Sequence, residues 1–456
     1  MKNNSKFYQK FFFSLIIFTS YLLIIKSDSN SNTIEVVAQF NVIKIKTDKG
    51  VEECRHCMPA GIKLSKNGTI FCSFPRWFDN VLTTVAKYDK ENNYFIPWPS
   101  AELNEKKIKS VLGFEIDSND NIYILDQGKV QGKAEEDSIK LLKYSLDNST
   151  LLNEYIFSSD IADRDFSFLN DVVIDENKNI AYISDSGIAN DNNINHYKPG
   201  IIVLDLKNSS NVHRILTDHY SVFPDESFWL HIQKKPVNNE TGPMMTGADG
   251  IALSCNGETL FYCPLTGRMI YSILTKDIES AIKEGNTSNI RVYEGFKKEA
   301  SDGLLASSKG NLYMTGIETG SVYIAKEVEQ DLLRFDYRNF EGYKGDEFSM
   351  WPDTLAMHEG YLYFVSNQLH NFPEDIDYEH PKNGKYNFAI LRFSVGNDDS
   401  YIKGCSGFGS NWGVGSIIIW ICFAVIILIV LSFVLMGSNN QEEVIDKHMN
   451  LGMVEE

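Results

Sequence analysis

The sequence is short of positive charge. Of its 456 residues, 43 are Lys or Arg and 61 are Asp or Glu, which gives a formal net charge of −18. A nucleic-acid-binding protein needs a cationic surface to neutralise phosphates, so this balance argues against that class. It equally disfavours a protein that adheres to anionic lipid by charge alone.

Several catalytic motifs are also absent. The chain contains no G-x-S-x-G, no H-E-x-x-H and no phosphate-binding loop. Its nine histidines are scattered, and no two share the spacing of metal ligands on a helix. No pairing of a nucleophile with a base is therefore visible in the sequence.

Helical periodicity is lacking as well, apart from the two ends of the chain and a short helix predicted at 274–284. The chain is nevertheless 43% hydrophobic and 12% aromatic. This content is enough for a large core and is unlike that of a disordered chain. The sequence indicates a large, acidic, ordered protein.

The N-terminus resembles a secretory signal. Lys2, Lys6 and Lys10 precede a largely apolar run at 11–25, and a polar stretch follows it. A short apolar run behind a basic head is typical of a signal peptide, which we predict at 1–27. No clear cleavage motif is visible, so an uncleaved signal anchor remains the alternative.

The C-terminus contains a second apolar run. Residues 417–436 carry no charge and match the roughly 20 residues needed to cross a bilayer. A Gly-rich linker at 401–416 precedes this predicted transmembrane helix, and a polar tail at 437–456 follows it. Because the apolar run is not terminal, a GPI signal is disfavoured. We predict a single-pass protein with an extracellular or lumenal ectodomain and a cytosolic tail.

Two features support an exported ectodomain at 34–400. Glycosylation sequons begin at Asn67, Asn148, Asn208, Asn239 and Asn286. Six cysteines lie outside the apolar runs, and in an oxidising compartment they allow 15 connectivities: Cys54, Cys57, Cys72, Cys255, Cys263 and Cys405. The Cys54-x-x-Cys57 pair could indicate a zinc site, but the chain has no second C-x-x-C to complete one. A structural disulfide is therefore the favoured interpretation.

One pattern occurs six times in the ectodomain: a short β run, a polar turn and a second β run. The copies are GIKLSKNGTIFCSF (61–74), GFEIDSNDNIYILD (113–126), DVVIDENKNIAYISD (171–185), DGIALSCNGETLFYC (249–263), DGLLASSKGNLYMTG (302–316) and DTLAMHEGYLYFVSN (353–367). Most are about 50–60 residues apart, and each interval has room for two more strands.

A single four-stranded sheet cannot bury both of its faces, but six sheets packed radially can. The pattern therefore predicts an all-β fold, a six-bladed β-propeller. We expect the run at 34–45 to pair with 388–395 and close the ring.

These segments resemble the major royal jelly protein/yellow family. The resemblance is carried in order by FPRWFDNVLTTVAKYD (74–89), IPWPS (96–100), LNDVVIDENKNIAYISDSG (169–187), GADGIALSCNGETLFYCPLTGRMIYSI (247–273), SDGLLASSKGNLYMTG (301–316) and WPDTLAMHEGYLYFVSNQL (351–369). The family implies a six-bladed propeller, in agreement with the repeat count. Its members include carriers of biogenic amines, and some yellow-type relatives convert dopachrome.

Acidic residues recur where the innermost strands are expected to begin, around one mouth of the central channel. The candidate ligand-binding residues are Asn170, Asp171, Asp249, Asp302 and Asp353. Such oxygens suit a cationic amine or a divalent ion such as Ca²⁺. The alternative is structural: each Asp caps a turn or bonds a neighbouring blade.

Other candidates receive mainly structural interpretations. Asp126, Asp185 and Asn367 end second strands, and we predict that they lie away from that mouth, with tight turns at Asp126 and Asp185. The segment Pro75, Arg76 and Trp77 suggests a lid or a blade-packing element in which Arg76 stacks on an aromatic ring. The aromatic residues of the long insertion either line a pocket entrance or cover a blade edge: Phe223, Phe228 and Trp229.

Two functions remain open at this stage. The favoured one is a membrane-anchored propeller that binds a small ligand, such as a cationic amine, at its channel. The alternative, implied by the resemblance, is a yellow-type enzyme: a dopachrome-converting isomerase or a metal-dependent lactonase. The sequence identifies no cofactor and no catalytic residue.

Overall fold

The computed structural model describes residues 34–188, 197–232, 234–237, 242–326, 351–371, 373–381 and 386–405. The predicted signal peptide, the run at 417–436 and the tail lie outside these ranges. Within them, no helix has the length and apolar character to cross a membrane.

The chain folds into six sheets, which we call blades 1 to 6 in chain order. The first strand, β1 (Glu35–Phe40), belongs to blade 6. Blade 1 contains β2 (Ile43–Thr47), β3 (Gly50–Cys54), β4 (Ile62–Leu64), β5 (Ile70–Ser73), β6 (Val85–Asp89) and β7 (Tyr94–Pro97). Helix α1 (Ala101–Lys106) leads to blade 2, which contains β8 (Val111–Ile116), β9 (Asn121–Asp126), β12 (Lys140–Ser145) and β13 (Leu151–Ile156), with a ribbon of β10 (Lys129–Val130) and β11 (Lys133–Ala134).

The second half repeats this plan. Blade 3 contains β14 (Leu169–Asp175), β15 (Ile180–Asp185), β16 (Gly200–Asp205) and β17 (Val212–Ile215), and the ribbon of β18 (His231–Ile232) and β19 (Lys235–Pro236) follows it. Blade 4 contains β20 (Ala248–Leu253), β21 (Thr259–Pro264), β22 (Met269–Leu274), helix α2 (Thr275–Glu284) and β23 (Val292–Lys297). Blade 5 contains β24 (Leu304–Ala306), β25 (Leu312–Gly316) and β26 (Ser321–Ala325), and blade 6 contains β27 (Pro352–His358), β28 (Tyr361–Ser366) and β29 (Phe388–Ser394).

The six repeats predicted from the sequence are the first two strands of each blade, so the predicted propeller is confirmed. The predicted ring closure is right in its first half: β1 pairs antiparallel with β29, with Phe40 opposite Phe388. It is wrong in its second half, because the chain turns after Phe40 and β2 joins blade 1 beside β7. Phe40, Ile43 and Ile45 are all buried in the same layer between blades 6 and 1, so the turn keeps all three side chains in the core.

Hydrophobic layers fill the gaps between neighbouring blades. One layer joins blades 1 and 2 and another joins blades 2 and 3, while the largest extends from blade 3 to blade 5. Every residue of the innermost strands β8 and β20 is buried, whereas the outer strand β13 exposes Leu152. Radial packing therefore gives each inner strand two apolar faces, as the near-continuous hydrophobic runs predict.

Two disulfides form among the six cysteines outside the terminal apolar runs. Cys54 bonds Cys57, which confirms the structural interpretation of the C-x-x-C pair. Cys255 bonds Cys405 across 150 residues, while Cys72 and Cys263 are free and buried. The predicted linker therefore begins too early: Tyr401 is buried and Cys405 is bonded to blade 4, so the residues up to Cys405 belong to the propeller.

Glycines allow the innermost strands of neighbouring blades to approach each other closely. A Cβ added to Gly250 would lie 2.5 Å from the carbonyl oxygen of Asp302, and one added to Gly303 would lie 2.5 Å from that of Asp353. Real Cβ atoms do not come so near, so these two positions exclude any side chain.

We expect Gly303→Ala to destabilise the protein by about 1–3 kcal/mol, because the methyl group forces blades 5 and 6 apart. Urea denaturation of the purified protein measures this change. Gly267→Ala is the matched control, since its added Cβ meets its nearest neighbour at 3.4 Å, an ordinary contact. Equal stability of the two variants would contradict the packing argument.

Candidate functional site

The first residues of the innermost strands and the last residues of the second strands lie at the same end of the blades. Antiparallel pairing places Val111 opposite Asp126 and Leu169 opposite Asp185. We call this end the mouth. The prediction that Asp126, Asp185 and Asn367 lie away from the mouth is therefore wrong, because a hairpin returns its second strand to the level at which the first one begins.

A β-bulge at the start of the inner strands decides which residues are equivalent. In blade 4 the pairing passes from Ala248 directly to Ile251, and in blade 3 it passes from Leu169 to Val172. Asn170 thus occupies the position of Asp249, and Asp171 lies one residue further along the strand. We call the equivalent polar residues the upper tier: Asn170, Asp249, Asp302 and Asp353.

Hydrogen bonds hold the upper tier between blades 3 and 4 and between blades 5 and 6. Asn170 Nδ2 donates to Asp249 Oδ2 at 2.6 Å, and Trp351 Nε1 donates to Asp302 Oδ2 at 2.6 Å. The carboxyl groups of Asp249 and Asp302 lie close enough that Asp302 raises the pKa of Asp249, while Asp249 Oδ1 has no hydrogen-bond partner among the described residues. Two buried carboxyl groups this close disfavour being charged together, which raises their pKa values.

Asp353 is tied to the ring closure. Asn367 Nδ2 donates to Asp353 Oδ2 at 2.9 Å and to the carbonyl oxygen of Pro59 at 2.8 Å. The Thr354 hydroxyl donates to the other Asp353 oxygen at 3.1 Å. Asn367 therefore links the last blade to the first while it positions a carboxyl group of the upper tier.

Burial raises the pKa of each carboxyl group in the upper tier. The pKa of Asp249 lies well above its usual value because of desolvation and the adjacent Asp302. The pKa of Asp353 is also well above its usual value, for the same two reasons. Desolvation raises the pKa of Asp302, and the Trp351 hydrogen bond opposes that change. These groups retain protons under conditions in which exposed aspartates are charged.

A second group of polar residues, which we call the lower tier, lies deeper along the inner strands. Lys63 Nζ donates to Glu115 Oε2 at 3.1 Å, and both residues are buried. Asp171 lies close enough for the charges of both residues to affect its pKa. Desolvation raises the pKa of Asp171 to about 6, and the positive charge of Lys63 partly opposes this rise. Sequence reasoning missed Lys63 and Glu115, although they occupy the same place in the first and second repeats.

The C-terminal segment of the propeller reaches the lower tier. The buried Tyr401 hydroxyl donates to Glu115 Oε2 at 3.2 Å and accepts from the Ile174 backbone N–H at 3.1 Å. Asp398 fixes this segment to blade 5, where its Oδ2 accepts from the hydroxyls of Ser307 and Tyr313. The lower tier is therefore completed by Tyr401, which no repeat pattern identifies.

The second-strand residues Asp126 and Asp185 bind backbone groups. Asp126 accepts from the backbone N–H groups of Lys109, Ser110 and Gly128. Asp185 accepts from Phe168 and Gly187 N–H and pairs with Arg214 at 2.7 Å. These contacts agree with the structural interpretation of both turns.

The Pro75-Arg76-Trp77 segment packs blades together. Arg76 Nη1 donates to the carbonyl oxygens of Ile108 and Lys109, so the predicted stacking of Arg76 on an aromatic ring is wrong. Trp77 stacks on Phe168 with the ring centroids 6.0 Å apart. The aromatic contact of this segment is therefore made by Trp77.

The aromatic residues of the insertion divide into two groups. Phe228 is buried in the cluster that contains Trp351, the partner of Asp302. Phe223 packs against the hydrophobic layer that extends from blade 3 to blade 5, and Trp229 is exposed. Phe228 thus covers the blades beside the upper tier, and sequence reasoning overlooked Trp351, which directly precedes Pro352.

Lys298, which the sequence analysis did not single out, is a buried cation whose charge reaches Asp302. Its Nζ donates to the carbonyl oxygens of Pro264, Gly267 and Glu299 at 3.2, 2.8 and 2.9 Å. Its charge favours ionisation of Asp302. Since three carbonyl groups already occupy its three donors, Lys298 acts on the upper tier only at a distance.

The arrangement can hold protons and offer carboxyl oxygens to a positive charge. Among the described residues, no group of three or more His, Cys, Asp or Glu side chains is arranged to hold a metal ion. The Ca²⁺ ligand set considered from the sequence therefore has no such counterpart in the described part of the chain.

The resemblance noted in the sequence is confirmed by comparison with known proteins. The family described as major royal jelly protein matches residues 109–401, more than half of the chain. Major royal jelly protein 3 of Apis mellifera is 21% identical over 74% of this chain and 55% of its own length. Major royal jelly protein 7 of the same species is 23% identical over 66% of this chain and 69% of its own length. The chain thus spans only about half of the length of the first of these relatives.

Solved structures with a similar chain path have little sequence in common with this one. A luciferin-regenerating enzyme is 12% identical and matches 81% of this chain and 97% of its own, with a TM-score of 0.46. A gluconolactonase from Xanthomonas campestris is 11% identical and matches 79% of this chain and 89% of its own, also with a TM-score of 0.46.

We expect Asp171→Asn to remove part of the pH dependence of stability. Burial raises the pKa of this carboxyl group to about 6, so the folded state binds the extra proton and loses stability as the pH rises from about 4 to about 6. This rise in pKa corresponds to a loss of about 3 kcal/mol in the free energy of unfolding at neutral pH. Urea denaturation across this range measures it, and Asp48→Asn, at an exposed position, is the control.

We expect Tyr401→Phe to cost about 1–3 kcal/mol, because it leaves the buried Ile174 N–H without an acceptor. Tyr88→Phe is the control, since the hydroxyl of Tyr88 meets Asn93 at the surface. Thermal unfolding of both variants provides the measurement. A loss as small as that of the control would contradict the role assigned to Tyr401.

Proposed function

We propose, on the premise that this chain belongs to the major royal jelly protein family, that its propeller binds a small organic cation of the amine class at the upper tier. The observation that carries this proposal is the convergence of three buried carboxyl groups, Asp249, Asp302 and Asp353, at the mouth. A buried acidic cluster attracts a positive charge that can replace its protons.

The charges around the upper tier support a cationic ligand. The two buried lysines nearby have other partners, since Lys298 donates to three carbonyl oxygens and Lys63 pairs with Glu115. The carboxyl groups therefore balance their charge mainly by holding protons. A primary ammonium group offers three donors to the same oxygens, and hydrogen bonds between charged partners are the stronger kind.

Tryptamine tests the proposal, with tryptophol as a neutral ligand of nearly the same shape. We expect calorimetry to detect tryptamine binding and to find tryptophol at least 10-fold weaker, because a charged hydrogen bond contributes about 1.5–3 kcal/mol. Asp302→Asn should weaken tryptamine binding to a similar extent, whereas the surface variant Asp48→Asn should not. Equal affinity for the two ligands would contradict the proposal.

The proposal also predicts how the affinity for an amine changes with pH. An alkyl ammonium remains charged below a pH of about 10, while the buried carboxyl groups lose protons only as the pH rises towards their raised pKa values. The affinity should therefore increase with pH, and binding should release protons. Calorimetry in buffers of different ionisation enthalpy detects that release.

Proton-transfer catalysis is a second candidate, favoured by the raised pKa values of the neighbouring carboxyl groups of Asp249 and Asp302. Paired carboxyl groups with displaced pKa values can act as acid and base in one site. An isomerase of the dopachrome-converting type, which the family resemblance suggests, would use such a pair. Conversion of dopachrome by the wild type but not by Asp249→Asn would favour this candidate.

We also propose that the propeller is exported and anchored by the run at 417–436. The support is the signal-like N-terminus, the uncharged run and the disulfide between Cys255 and Cys405, since disulfides persist in oxidising compartments. Protease treatment of sealed microsomes carrying the full chain tests this topology, with the propeller protected and the tail digested.

A further inference from the structure

The hairpin turns of the blades lie on two opposite faces of the propeller. Because the strands alternate in direction, the turns between first and second strands and between third and fourth strands share one face. In blade 2, for example, the Leu146 N–H donates to the carbonyl oxygen of Asp120, which joins these two turns. We call this the turn face; the mouth is on the opposite face.

Four predicted sequons fall within the described residues, and all four lie on the turn face. Asn67 lies between β4 and β5, Asn148 between β12 and β13, and Asn208 between β16 and β17. Asn286 lies between α2 and β23, beyond the end of β22 where Leu274 pairs with Thr259. The fifth sequon, at Asn239, is outside the described residues.

The four asparagines share one local geometry. In each, Oδ1 accepts a hydrogen bond from the Ser or Thr two residues later, at 2.8 Å from the Thr69 hydroxyl, 3.0 Å from Thr150 N–H, 2.8 Å from the Ser210 hydroxyl and 2.6 Å from the Ser288 hydroxyl. All four residues are exposed, and within the described part of the chain their Nδ2 atoms donate no hydrogen bond. The nitrogen that accepts a glycan is therefore directed away from competing contacts.

We propose that Asn67, Asn148, Asn208 and Asn286 carry N-linked glycans, which coat the turn face and leave the mouth bare among the described residues. The proposal rests on the export proposed above. Each Nδ2 attacks the first sugar carbon of a lipid-pyrophosphate-linked oligosaccharide. A C–N bond forms, the lipid pyrophosphate leaves, and the amide proton passes to a base of the transferase.

The distribution has a consequence for recognition. Glycans are bulky and solubilising, so a coated face is a poor surface for close protein contact. The acidic upper tier lies at the uncoated end of the blades. Ligands and partners would therefore approach the propeller from the mouth.

The test uses the full chain translated into sealed microsomes. Glycosidase treatment in heavy-oxygen water converts each glycosylated Asn to a labelled Asp, which peptide mass spectrometry locates. We expect label at all four positions. Each single variant, Asn67→Gln, Asn148→Gln, Asn208→Gln or Asn286→Gln, should lose one glycan in gel mobility, and the fourfold variant should lose four.

A sequon engineered at the mouth serves as the matched control. The double variant Gln131→Asn, Lys133→Thr creates one in the turn between β10 and β11, where Gln131 has a φ of 50° that Asn adopts readily. We expect it to gain one glycan, which would mean that the described residues of the mouth are bare only because they lack sequons.

Protease protection separates the two ways in which the inference can fail. If the chain is protected and the control sequon is filled while two or more of the four native sites are empty, the inference is overturned and export stands. If the chain remains accessible and all sites, including the control, are empty, both the export and the glycan coat are refuted.

Discussion

Closure of the ring is the constraint on which the rest of the structure depends. A blade in an open array would expose one apolar face, so the first and last blades must meet. The pairing of β1 with β29 makes the N-terminal strand the outer edge of blade 6. Asn367 strengthens the same junction through its bond to the Pro59 carbonyl oxygen. Each of these contacts joins residues more than 300 positions apart, and together they hold six otherwise local sheets in one body.

Closure also creates the chemistry at the centre. The inner strands approach so closely that only glycine fits at positions such as Gly250 and Gly303. Carboxyl groups beside these glycines lose contact with water, and their pKa values rise. Three aspartates that would be ordinary turn residues on a free hairpin become a buried, proton-holding group. The proposed affinity for cations is a consequence of this desolvation.

The two faces of the propeller differ in kind. The mouth contains the upper tier and the cover formed by Phe228 and Trp351. At the other end of the blades, the segment from Asp398 to Cys405 is bonded to blade 5, to the lower tier and, through its disulfide, to blade 4. These contacts attach the end of the propeller to its centre. The propeller domain therefore extends further along the chain than the glycine-rich composition after residue 400 suggests.

The sequence by itself determined the strands, the six repeats, helix α2 and the family, because alternation, turn residues and motif order are local properties. It also placed Asp249, Asp302 and Asp353 at one mouth, since equivalent repeats occupy equivalent places. The equivalence of Asn170 rather than Asp171 required the tertiary structure, because a two-residue bulge shifts the register without a local signal. The contacts of Trp351 with Asp302 and of Tyr401 with Glu115 and Ile174 were likewise decided only in the folded ring. Tyr401 lies 227 residues from Ile174, and no periodic pattern in a chain specifies which distant side chain will fill the space that closure leaves.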